Sequence, residues 1–375
     1  MNKKIGIIAL VLIVLVGGYF YLNREQNISI NIKNDQILDI SLNLPLTGPF
    51  STYGEAIRDG VLMAKEDISS NVEINLSIQD NRSEAKTSVN ILKQQLLKDN
   101  DIYISGVKPQ TMAIIDEVSK KSIPHFTWVF DAFITQNYKN TYRTWVSYKL
   151  EPEYYFKYIE KQKPKKIAIA YVKLPHTDEE FLNIIVPYLK KNNIEFLIED
   201  YNFGVNDFKT IGVKFKDYNP DLLILNGFKG ELISMVKYFQ EINLSNKNGN
   251  TICTFDFLDA AEDLDDSVKN GIRFVAPEFI TKLTDERIKW SDKFEMKFGR
   301  KPRYTDAYAY DMMSAIIHAS KNVKDFSNAE EWNIALKSIA FEGITGKFKF
   351  DDSGDLITPL DVVYFEDSKI LIDIE

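Results

Sequence analysis

The sequence predicts an α/β protein of two lobes, each a parallel sheet covered by helices on both faces. Apolar spacing alternates between strand period and helix period from residue 37 to about residue 130, and the alternation restarts near residue 165. At 375 residues the chain exceeds what one ordinary hydrophobic core accommodates. Strands and helices in alternation imply parallel strands joined by crossover helices, which cover the sheet on both sides.

"ILDISLNL" (37–44) alternates as a strand, and "YGEAIRDGVLMAKEDI" (53–68) carries apolar residues three and four apart, as a helix does. "VEINLSIQD" is a second strand and "SEAKTSVNILKQQLLKD" a second helix, with Ser83 in N-cap position. "DIYISG" is a third strand, "PQTMAIIDEVSKK" a helix with Pro109 in its first turn, and "IPHFTWVF" a fourth strand. The second unit repeats the rhythm. "KKIAIAYV", "IEFLIEDYNF", "PDLLILNG" and "NTICTFD" are its strands, and "DEEFLNIIVPYLKKN", "VNDFKTIGVKFKDYN" and "ELISMVKYFQEI" its helices. Residues 284–338 are mainly helical, and the end is a hairpin meander with turns at 353–355 and 366–368.

Hydrophobic residues make up 45% and charged residues 27%, a globular balance. The formal charge of −8, with acids interspersed among the lysines, excludes nucleic acid as the main partner. Lys3 and Lys4 precede the uncharged run "IGIIALVLIVLVGGYFYL" (5–22). Its 18 residues sit at the lower limit for a membrane span and the upper limit for a signal-peptide core. Residues 1–22 are therefore expected to be a signal-anchor or transmembrane segment, with a cleaved signal as the alternative. Residues 23–36 form a tether. Either way the lysines stay in the cytoplasm and the rest faces outside. Cys253 is the single cysteine, which excludes an intrachain disulfide, a CxxC redox pair and a thiolate zinc site.

"LNLPLTGPFSTYGEAIRDG" (42–60) raises the first functional question. A turn that only reverses the chain can be polar throughout, yet this one holds Phe50 and Tyr53 among prolines, glycine and hydroxyls. Such a turn resembles the wall of a ligand site, the alternative being that both rings pack beneath it. With "TYRTWVSYKLEPEYYFKYI", "YNFGVNDF…YNPDLLILNG", "AYAYDMMSAI" and "FEGITGKFKFDDSGDL" following in order, the chain resembles the leucine/isoleucine/valine-binding proteins. These are the type I periplasmic solute-binding proteins of ABC transporters. The resemblance spans nearly all of residues 36–366. It implies three crossing segments between the lobes and a ligand in the cleft. It places 37–145 and 273–340 in lobe 1, and 146–272 and 341–375 in lobe 2.

The resemblance also implies ligand residues. Phe50 and Tyr53 line the first turn. "SGVKPQTM" matches the turn where backbone N–H groups and a hydroxyl hold a carboxylate, and a helix N-terminus favours an anion. There Gly106 permits close approach and Thr111 is the hydroxyl. Lys108 adds a counter-charge or is solvated. Thr127 and Trp128 belong to the next turn, made bulky by Phe130 and Phe133. His176 faces the cleft or solvent, and Asp256 holds a ligand ammonium or caps the following helix.

The sequence offers no nucleophile–base constellation. His125, His176 and His318 are far apart, and G-x-S-x-G, H-E-x-x-H and G-x-G-x-x-G are absent. No enzyme activity, cofactor or metal is expected. The expected function is capture of a small polar solute, an amino acid or related carboxylate, by closure of two lobes for a membrane permease. A sensory ectodomain signalling in trans is the alternative.

Overall fold

The computed structural model describes residues 37–70, 72–131, 133–146, 149–245 and 248–374. The expected anchor (1–22) and tether (23–36) lie outside the described residues. Among the described residues no helix is long and apolar enough to cross a membrane.

The first α/β unit runs β1 (Ile37–Leu44), α1 (Ser51–Asp67), β2 (Glu73–Asp80), α2 (Ala85–Gln95), β3 (Ile102–Ser105) and α3 (Lys108–Met112). It continues with α4 (Ile115–Lys120), β4 (His125–Thr127), α5 (Phe133–Asn137) and β5 (Thr141–Arg143). Its five strands lie in the order β2-β1-β3-β4-β5, and β1, β3, β4 and β5 pair in parallel. Both faces of β1 are covered, so even Ser41 and Asn43 are buried. Asn43 is tolerated there because its amide donates to Ser88 O at 2.9 Å and to the Tyr103 hydroxyl at 3.0 Å.

The second unit comprises α6 (Glu151–Gln162), β6 (Lys166–Val172), α7 (Pro175–Glu180), α8 (Val186–Lys191), β7 (Glu195–Tyr201), α9 (Lys209–Tyr218) and β8 (Leu222–Leu225). There follow α10 (Lys229–Glu241), β9 (Thr251–Cys253), α11 (Phe257–Ala261), α12 (Asp266–Lys269) and β10 (Arg273–Pro277). The chain ends with α13 (Glu278–Thr281), α14 (Asp285–Phe298), α15 (Tyr304–Ser320), α16 (Ala329–Ser338), β11 (Ala340–Gly343), β12 (Gly346–Phe350), β13 (Leu356–Ile357), β14 (Leu360–Glu366) and β15 (Lys369–Ile374). The larger sheet has the order β15-β14-β10-β9-β8-β6-β7. Strands β7 to β10 are parallel with β6, and β14 and β15 add an antiparallel edge. The β14–β15 turn, Asp367-Ser368, has φ of 49° and 62°, the backbone of a two-residue type I′ hairpin.

Several sequence expectations shift. Pro187 lacks an N–H and crowds the preceding turn, and the expected continuous helix becomes α7, a π-helical turn at Phe181–Ile185, and α8. Ser83 is not a helix cap: it has φ +60°, and its hydroxyl donates to Thr47 O at 2.7 Å and accepts from Phe50 N at 3.2 Å. It therefore staples the opening turn. Strand β10 was not expected, and it lies in the larger sheet, beyond the expected 272/273 boundary. Within 341–375, β12 pairs antiparallel with β11 and β13 in a separate three-stranded sheet, which packs on the five-stranded sheet where the Phe350 ring meets Tyr142 at 5.1 Å and Phe126 at 6.1 Å.

Helix α15 returns the chain to the first unit by packing along α1. A Cβ on Gly60 would lie 2.6 Å from Ala309 Cβ and 2.5 Å from Asp306 O, so only glycine allows that approach. Arg300 fastens the pair, with ion pairs of 2.8 Å to Asp59 and 2.6 Å to Asp306.

Candidate functional site

The carboxyl ends of both sheets supply the walls of one cavity, the place where open α/β folds bind ligands. Phe130 follows β4, Glu151 opens α6, His176 and Glu180 follow β6, Phe228 follows β8, and Phe255 and Asp256 follow β9. The cavity measures about 30 Å³, enough for one or two water-sized groups. A groove of about 830 Å³, lined in part by Tyr53, Asp259, Arg303 and Tyr304, lies beside it. Aromatic rings stand between the two: Trp145 meets Phe255 at 5.9 Å and Tyr304 at 6.1 Å, and Tyr53 meets Trp145 at 5.8 Å.

Three carboxyl groups face the small cavity, and neither Lys nor Arg is among its lining residues. Glu151 Oε1 accepts from the Tyr155 hydroxyl at 2.9 Å and from Phe255 N at 2.6 Å. That second bond fixes the backbone leading into Asp256. Burial pushes the Glu151 carboxyl up to about 7. Asp256 precedes α11, yet its side chain makes no capping hydrogen bond. Burial, then the nearby charges of Glu151 and Asp259, hold its carboxyl well above the ordinary range. Glu180 is 2% exposed, and its Oε1 is buried without a hydrogen-bond partner. Burial and the neighbouring Glu151 and Asp256 raise it in the same way.

Contacts link the two α/β units at Phe130 and His176, which line this cavity. Asp131, after β4, lies 3.5 Å from His176 Nδ1 and 2.7 Å from Lys108 Nζ. Burial alone would raise the Asp131 carboxyl, but His176 and Lys108 hold it down at about 2. The Phe130 ring stacks on His176 at 5.8 Å and meets Phe228 at 6.0 Å.

The residues expected from the sequence divide into two groups. Asp256 and His176 line the small cavity, and Tyr53 lines the groove. Trp128 stands behind the partition, its ring 5.2 Å from Trp145, with a buried indole N–H that lacks a partner. Thr127 is buried next to it, its hydroxyl also without a partner. In the expected carboxylate-binding turn the side chains have partners within the protein. The Thr111 hydroxyl is buried and turned inward, bonding Gly106 O at 2.9 Å and the Ser105 hydroxyl at 2.7 Å. Gly106 makes room for Pro45, whose Cδ would be 2.6 Å from an added Cβ. Lys108 is committed to Asp131, and Pro109 has no N–H to offer. Phe50 sits at the start of α1 and lines neither cavity.

Glu151, Glu180, Asp131, Trp145 and Tyr304 were not singled out by the sequence. One signal was available: His176 and Glu180 are four apart in a helix, hence on one face. Among the described residues no His, Cys, Asp or Glu group is arranged to hold a metal ion.

The family described as periplasmic binding protein matches residues 38–369. The chain belongs to that family. A leucine-, isoleucine-, valine-, threonine- and alanine-binding protein of Pseudomonas aeruginosa is 24% identical over 344 residues, covering 85% of this chain and 87% of that protein. Among solved structures, a branched-chain amino acid transporter substrate binding protein of Streptococcus pneumoniae, in complex with isoleucine, superposes with a TM-score of 0.71. It is 16% identical, and the match covers 91% of this chain and all of that one. An ABC-transporter solute binding protein of Rhodopseudomonas palustris, in complex with 3,4-dihydroxybenzoic acid, gives 0.74 at 16% identity, covering 90% and 96%. At these identities the structures establish the fold: two α/β units of the type I periplasmic binding protein kind.

Proposed function

We propose that this periplasmic binding protein captures a small polar solute outside the cell and delivers it to an ABC permease. One observation carries the reading. Both sheets direct their carboxyl ends at a shared cavity, where Asp256 presents a carboxyl group free of any capping bond. An amine on the solute satisfies that group. Lobe 1 comprises the smaller sheet with 278–357, and lobe 2 the larger sheet. Closure brings Asp131 and Phe130 of lobe 1 onto His176 and Phe228 of lobe 2. A solute touching both lobes favours the closed state through contacts absent from the open one.

The uncharged run at 5–22 keeps the protein at the outer face of the membrane. Its relatives are substrate-binding proteins, and the reading is of a binder rather than an enzyme. A thermal-shift panel of amines, amino acids and aromatic acids tests it on residues 30–375. At least one compound is expected to raise Tm in a concentration-dependent way, because a ligand bound only by the folded state stabilises it. A panel without any stabilising compound contradicts solute capture.

A further inference from the structure

We propose that the solute is a small organic cation, a primary amine or diamine that carries no carboxylate of its own. This inference rests on the solute-capture reading and names the class of solute. Its starting point is Glu180. The side chain is 2% exposed, lines the cavity, and leaves Oε1 without a hydrogen-bond partner. A buried carboxyl oxygen in that state is costly unless a bound group completes it.

The surroundings specify what that group is. Glu151 and Asp256 line the same cavity, so three carboxyl groups and no cationic side chain other than His176 surround an entering group. Phe130, Phe228 and Phe255 supply ring surface to the cavity, which favours a cation further. A volume of about 30 Å³ fits an ammonium group, which is close to the size of a water molecule, better than a planar guanidinium. No Lys or Arg lines the small cavity, and the β3–α3 turn brings no free side chain to a carboxylate there. Thr111 is bonded inward, Lys108 is paired with Asp131, and Pro109 lacks an N–H. Half of a zwitterion site is thus built, and it is the acidic half. On the groove side Glu262 is paired with Lys229 at 3.6 Å, and Asp259 is the acid that a second amine reaches.

The test is calorimetric titration of residues 30–375 with 1,4-diaminobutane, L-ornithine, L-leucine and benzoate. Ornithine is the diamine with an added α-carboxylate, so the pair isolates that group. We expect 1,4-diaminobutane to bind at least about tenfold tighter than ornithine, and leucine and benzoate more weakly than either. Glu180→Gln keeps the shape of the side chain and removes the negative charge it can present to a bound ammonium. It is expected to weaken 1,4-diaminobutane at least about tenfold while the melting temperature of the free protein holds or rises. Diaminobutane affinity unchanged in Glu180→Gln overturns the proposal, as does equal or tighter binding of ornithine, leucine or benzoate. Binding of leucine or benzoate alone would leave solute capture standing and remove the cation. Absence of binding by all four removes the cation as well, and the thermal-shift panel then decides capture independently.

Discussion

Arg143→Met is expected to cost about 3–5 kcal/mol of folding stability, the range for breaking a buried ion pair from one side. Arg143 is fully buried at the end of β5, and its Nε donates to Asp355 Oδ1 at 2.8 Å. The same guanidinium donates to the carbonyls of Val129 and Phe130, both at 3.2 Å. It therefore ties the turn between β12 and β13 to the loop that carries Phe130 to the cavity. Methionine fills the volume but leaves the buried Asp355 carboxylate with only the Thr135 hydroxyl, 3.1 Å away. The pair is one-sided: Arg143 Nη2 and Asp355 Oδ2 are both buried without hydrogen-bond partners. Replacing both residues, Arg143→Met with Asp355→Leu, is thus expected to recover most of the loss, because no lone charge remains. Urea denaturation of the three variants measures it. A single-mutant loss below about 1 kcal/mol would show that Asp355 is rehydrated on losing Arg143.

Asp256→Asn carries the second large effect, on binding rather than folding. Truncating one partner of a desolvated charge pair costs about 2–5 kcal/mol. At about 1.4 kcal/mol per factor of ten, that is at least about a thirtyfold loss of affinity for an amine. Asparagine retains the size of the side chain and its place before α11, where no capping bond exists to be lost. The free variant is accordingly expected to be at least as stable as the parent, since a buried carboxyl beside other acids is costly. The comparison uses the most stabilising amine of the panel and its deaminated analogue, which should lose far less. An amine affinity within about threefold of wild type removes Asp256 from recognition.

The sequence displayed the architecture because strands buried on both faces read as apolar runs and the helices between them keep a 3.6-residue period. Strand β10 escaped because "RFVAP" is five residues ending in proline, and its place depends on pairing with β9 and with β14, the latter far away in the chain. The placing of the last 35 residues was equally non-local, since it is Phe350 against Tyr142 that sets the β11–β13 sheet on the five-stranded one. At the site, resemblance led to Tyr53, His176 and Asp256, all of which line a cavity. It also led to Gly106, Lys108 and Thr111, which the fold uses elsewhere: against Pro45, with Asp131, and within the β3–α3 turn. Glu151 and Glu180 were invisible for a physical reason. Acids in "EPEYY" and "HTDEEF" read as solvated first-turn residues, and only the packed structure buries them beside each other.

Closure of the lobes on a solute is the central claim, and small-angle scattering tests it most directly. Residues 30–375 are measured alone and with a saturating concentration of the most stabilising compound of the thermal-shift panel. The account predicts a smaller radius of gyration with the compound, as Phe130 and Asp131 are held against Phe228 and His176. Saturated binding with an unchanged radius would contradict capture by closure.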